Sequence, residues 1–151
     1  MRAIEIKNFG EADVLHITEL PQPTPGPEDL LVRVKATALN RADLLQRRGK
    51  YSPPAGESNI LGLEIAGEVA EIGQKVTRFR KGDRVFGLVG SGGYADYCLI
   101  NQNCAMLIPE NFSFTEAAAI PEAFLTAAEA LFTLGQLQSG ETVLIHAGGR
   151  Y

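Results

Sequence analysis

Histidine and cysteine are scarce in this 151-residue sequence, with two of each. Cys98 and Cys104 are too few for a disulfide framework, and their spacing is not C-x-x-C. No secretory-signal pattern accompanies Arg2 and Glu5 at the start, so both thiols are expected to be free in a reducing cytosol. No apolar run approaches the length of a membrane-spanning helix. Basic charge is also short: 14 Lys and Arg stand against 18 Asp and Glu, a formal charge of −4. That balance leaves no electrostatic footprint for nucleic acid or an anionic membrane. Internal repeats are absent, and the one biased tract is the proline-rich stretch at 21–27.

What is present is a soluble-domain balance, 45% hydrophobic and 21% charged, with 16 glycines and eight prolines. The length suits one ordinary domain, or one domain plus part of another. So much punctuation favours short strands joined by turns. Strands are expected at Met1–Lys7, Val14–Leu20, Leu30–Ala36, Leu63–Ile72, Arg84–Val89 and Tyr94–Ile100, from alternation or branched apolar runs. In the third, Val32, Val34 and Ala36 share a face opposite Arg33 and Lys35. Gly67 inside the fourth marks a bulge or a close backbone approach. The prolines of 21–27 make an extended spacer. A short helix opens at Asn40, carries Asp43 in its first turn, uses Leu44 and Leu45 as apolar contacts, and ends at Gly49. This spacing of short strands predicts a mainly β barrel or sandwich.

The pattern changes at Ser113. Ser113-x-x-Glu116 is a capping box, and Pro121 suits a second helix start. Apolar residues then recur at helical spacing from Phe124 through Leu134, with Gly135 as the C-cap. Thr142–Ala147 is nearly all apolar, the pattern of a strand buried on both faces of a parallel sheet. The turn Gly148-Gly149 follows. A boundary is expected near Ala119–Pro121. A final strand without partners would present an edge through which the chain could self-associate.

The stretches ATALNRADLLQRRGKY, NILGLEIAGEV, KGDRVFGL, GGYADY, EAAAIPEAFLTAAEAL and ETVLIHAG stand in the order seen in medium-chain dehydrogenase/reductases. They resemble most the zinc-free quinone oxidoreductase branch, and especially its tumour-suppressor-inducible type. The resemblance covers nearly all of residues 1–148. It implies a chaperonin-10 (GroES)-like catalytic barrel over 1–120, with short helices, followed at 121–151 by the connecting helix and first strand of an incomplete Rossmann domain. It also implies hydride transfer from NADPH to a quinone or similar electrophilic carbonyl, and homo-oligomers among full-length relatives.

Zinc-dependent relatives place a cysteine where this chain reads Leu39-Asn40-Arg41, and a Gly-His-Glu where it reads Gly62-Leu63-Glu64. Leucine cannot ligate, and catalytic zinc needs about three Cys, His or carboxylate ligands. The histidines His16 and His146 are far apart in sequence, so no metal site is expected. By resemblance Asn40 lies near the nicotinamide, and it can also serve as a helix N-cap. Asp43 resembles an active-site acid of the branch and equally fits a first-turn helix charge. Tyr51 offers a phenol to a carbonyl or a ring to a quinone. Thr126 matches a position whose hydroxyl contacts the nicotinamide end. For His146, structural and cofactor-proximal roles are both open, and Gly148 begins the glycine turn. Arg41, Gln46, Arg47 and Arg48 read as a solvated helix face, and both cysteines as buried and inert.

In the family, that glycine turn has the form A-x-x-G-x-G and opens the helix that holds the pyrophosphate. Here it reads Gly148-Gly149-Arg150-Tyr151. The sequence therefore reads as a fragment or a truncated product, expected to be inactive alone. The alternatives are a free-standing GroES-like interaction module without catalysis, or an enoyl or enone reductase of the same superfamily.

Overall fold

The computed structural model describes residues 1–146. Its spine is β3 (Asp29–Thr37), where branched apolar residues alternate with Arg33 and Lys35. Before it, β1 (Arg2–Ile6) and β2 (Leu15–Glu19) form an antiparallel hairpin with Ile4 opposite Ile17. After it come helix α1 (Arg41–Arg47) and strands β4 (Glu64–Ile72), β5 (Arg84–Leu88), β6 (Tyr97–Asn101) and β7 (Ala105–Leu107). Five strands make one curled antiparallel sheet in the order β6-β3-β4-β5-β7, so the mainly β, GroES-like expectation holds.

Period-two alternation divides the core in two. Leu30, Val32, Ile65, Val69, Val85 and Ile100 pack in one cluster. Ala66, Phe86 and Ile108 pack in another, against Ala117 and Ala118 of α2 (Phe114–Ala118). Burying each large aliphatic side chain stabilises the fold by roughly 1.5–3 kcal/mol. Gly67 bears out the close-approach expectation. A Cβ there would strike the Arg33 carbonyl, and the β3–β4 register shifts between Val34 and Ala36.

The elements depart from the sequence expectations in five places. The sixth strand begins at Tyr97, because residues 94–96 bond instead to β1: Ile4 donates to the Tyr94 carbonyl and Asp96 to that of Arg2. The short β7 was not anticipated; its three residues are too few to show a period. The long apolar helix divides into α3 (Pro121–Ala128) and a π-helical segment, Glu129–Leu134. Gly135 is the C-cap of that segment, as expected, with a right-handed backbone (φ −78°). It is needed because the Ala130 and Leu131 carbonyls would lie 2.8 and 2.9 Å from a Cβ. Thr142–His146 forms no strand, and Leu144 and Ile145 are exposed. A parallel strand is held by hydrogen-bonded neighbours, and among the described residues none pairs with this segment.

The last departure is the orientation of α1. Leu44 faces out, while Asp43, Gln46 and Arg47 are buried. The helix packs on polar loops: Arg47 meets Glu11 at 3.0 Å, and Gln46 Nε2 donates to the Asn59 carbonyl at 3.4 Å. The solvated-face expectation therefore fails for Gln46 and Arg47. It holds for Arg41 and Arg48, which are exposed.

Candidate functional site

Strand β3 ends at Thr37, whose Oγ1 donates to the Glu64 carbonyl at 2.7 Å. That bond sets the first residue of β4 beside the start of α1. Asn40 has extended backbone (φ −118°, ψ 156°), as an N-cap requires. Its amide donates to Asp43 Oδ2 at 2.7 Å, the return half of a capping box. Its side-chain Nδ2 donates to Glu64 Oε1, also at 2.7 Å. Glu64 Oε2 accepts the Glu122 amide at 2.9 Å. One carboxylate thus joins the N-termini of α1 and α3.

Asp43 is the second hub. Its Oδ1 accepts the Gly62 amide at 3.2 Å, and its Oδ2 also accepts the Tyr94 hydroxyl at 3.0 Å. Gly62 must be glycine: its φ is +101°, and a Cβ would lie 2.6–2.8 Å from Tyr94 and Gly93. Asn40, Asp43 and Glu64 are 4%, 3% and 2% exposed. Among the described residues neither carboxylate forms an ion pair. Convergent N–H and O–H donors replace the lost water, the condition on which buried carboxylates are tolerated. Burial, then the charge and hydrogen bond of Asp43, then Glu64, raise the Tyr94 phenol well above its ordinary pKa, so it stays a proton-bearing donor.

The structure gathers Asn40 and Asp43 into one network and brings α3 to it. Thr126 is exposed on α3, about one turn beyond Glu122. Tyr51 stands elsewhere: it lines a groove of about 580 Å³ with Phe9, Gln46 and Asn59. His146 lies exposed in a turn, and Gly148 lies outside the described residues. Glu64 and Tyr94 were missed as site residues. The signal for Glu64 was a lone carboxylate inside the otherwise apolar run Ile60–Gly67. Cys98 is buried, with its thiol pushed up to about 12 by burial and the nearby Glu57 charge. Cys104 is exposed, against expectation, because it closes the turn from β6 to β7.

Leu63 is buried. Among the described residues no group of three or more His, Cys, Asp and Glu is placed to hold a metal ion. No described helix is long and apolar enough to cross a membrane.

A curled β sheet with a buried polar network where two helices begin defines a class. Residues 26–110 match the alcohol dehydrogenase GroES-like domain, and the chain belongs to that family. Quinone oxidoreductases and VAT-1 homologues are both among the proteins it resembles. It is 36% identical over 148 residues to a quinone oxidoreductase of Lama guanicoe, covering 97% of this chain and 45% of that protein. It is 35% identical over 149 residues to a synaptic vesicle membrane protein VAT-1 homolog-like of Mus musculus, covering 99% of this chain and 36% of that one. The Escherichia coli quinone oxidoreductase in complex with NADPH superposes with a TM-score of 0.79 at 32% identity, covering 87% of this chain and 40% of that structure. The chain thus spans less than half the length of these relatives.

Proposed function

We propose that this chain is the catalytic part of a zinc-independent, NADPH-dependent quinone oxidoreductase. The observation that carries the reading is the Asn40–Glu64–Glu122 bridge, which sets the Asn40 carboxamide beside the helix that bears Thr126. The Escherichia coli quinone oxidoreductase this chain resembles is a complex with NADPH, which supports this cofactor. When bound, NADPH supplies the hydride. Asn40 and Thr126 would hold its nicotinamide end, since an amide and a hydroxyl can each donate and accept. Asp43 acts in this reading as a positioning residue, because its oxygens already serve three donors. Tyr51 contributes from the neighbouring groove, where its ring and that of Phe9 offer apolar walls to a flat acceptor.

Two features support zinc independence. Leu63 has no lone pair to offer, and both oxygens of Glu64 are engaged by nitrogen donors. We place the boundary between the two parts at Pro121, the first residue of α3.

The test is calorimetric titration of NADPH into the whole protein and its Asn40→Ala and Thr126→Val variants. Each variant is expected to weaken binding by about tenfold, the worth of one hydrogen bond to a buried polar ligand group. Wild-type affinity in both variants would remove Asn40 and Thr126 from the cofactor site.

A further inference from the structure

We propose that Glu64 is a positioning residue for the nicotinamide end of the site: it holds the Asn40 carboxamide and helix α3 in one frame and favours the oxidised ring over the reduced one. This rests on the placement of the nicotinamide beside Asn40 and Thr126.

The geometry of α3 is the first reason. Pro121 occupies its first position and has no N–H, and Ile120 makes no side-chain cap. The Glu122 amide is therefore the first donor the helix presents, and Glu64 satisfies it. Two N–H donors arriving from different elements each find their own oxygen on one rigid, planar carboxylate. Rotation of either element breaks a bond to Glu64, so Asn40 and α3 keep a fixed relation.

Charge is the second reason. Glu64 is almost fully buried, and among the described residues no Lys, Arg or His pairs with it. Among the described residues, the Asn40 side-chain amide and the Glu122 amide at the positive end of α3 bond to it. A group that touches Asn40 lies one amide away from the carboxylate, within roughly 6–8 Å, where a unit charge is felt strongly at an effective dielectric of about 20. The oxidised nicotinamide carries a positive charge and the reduced ring does not. Glu64 therefore stabilises the product form of the cofactor, and with it the charge that grows on the ring as hydride leaves.

The experiment measures dissociation constants of NADP⁺ and NADPH for the whole protein and for its Glu64→Gln and Glu64→Asp variants. Glu64→Gln keeps the shape, removes the charge and turns one acceptor into a donor, so the lost bond weakens both ligands and the charge is read from the ratio of the two affinities. It is expected to weaken NADP⁺ about tenfold more than NADPH, while Glu64→Asp keeps the wild-type ratio within about threefold. An unchanged ratio in Glu64→Gln, or an equal loss of both ligands, would mean a purely structural role and overturn the proposal. Should Glu64→Gln not fold, nitrogen-15 spectra of the wild-type protein decide instead. The Asn40 side-chain amide and the Glu122 amide should shift together, and further with NADP⁺ than with NADPH; equal shifts overturn it. A wild-type protein that binds neither nucleotide fails at the cofactor reading, before the role of Glu64 is reached.

Discussion

Asp43 is almost fully buried and accepts three hydrogen bonds. Asp43→Ala would take the acceptor from the Asn40 and Gly62 amides, both in buried residues, and from the half-buried Tyr94 hydroxyl. At about 1–3 kcal/mol for each stranded group, the variant should lose about 3 kcal/mol or more. Tyr94→Phe removes donor and bond together and should lose about 1 kcal/mol. Urea unfolding midpoints of the two variants check both values. Equal losses would mean that the donors stranded by Asp43→Ala find substitute acceptors. At this scale the sequence made Asn40 and Asp43 legible, because an N-cap and its third helical residue are neighbours in the chain. It did not make Glu64 and Tyr94 legible as their partners. Those bonds join residues far apart in sequence, and no local period marks them. Tyr51 was legible as a loop aromatic, but not as the lining of a groove apart from Asn40.

At the scale of elements, the two capping patterns differ in what sustains them. The box at α1 is buried. The box at α2 is exposed: Glu116 Oε2 accepts the Ser113 amide at 2.8 Å and its hydroxyl at 2.7 Å. Those bonds hold the Glu116 carboxyl below its ordinary value of 4.5. A carboxylate with a depressed folded-state pKa contributes stability that is fully present above its unfolded value and lost as pH falls through the folded one. The α2 cap should therefore weaken on acidification below about pH 4.5. Thermal unfolding midpoints should fall less steeply over that range in Glu116→Gln than in the wild type. Parallel curves would mean that the cap does not contribute. Short strands and caps were legible because their signals are local. The split of the α3 pattern was not, since apolar spacing alone does not distinguish an α-helix from a π-helical segment. The run Thr142–Ala147 has strand composition, but composition supplies no neighbouring strand.

Across the whole molecule, the buried and the exposed apolar residues have different meanings. The two core clusters close on themselves around the curled sheet. Leu39, Phe124, Phe132, Leu134 and Leu144 remain outside them and exposed. They flank α1, α3 and the segment that follows, the same region to which Glu64 ties Asn40. The fold class was legible because many short strands with turn signals leave few arrangements other than a barrel or sandwich. The polar bridge at its open end was not, because it forms only once β4, α1 and α3 have met. The account stands most directly on one measurement, the NADPH-dependent reduction of a soluble quinone by the whole protein after treatment with a zinc chelator, compared with its Asn40→Ala variant. The predicted result is a chelator-insensitive loss of reduced-nicotinamide absorbance matched by quinol formation, slowed about 100-fold or more in the variant. Turnover abolished by chelation, or equal turnover in the two proteins, would contradict it.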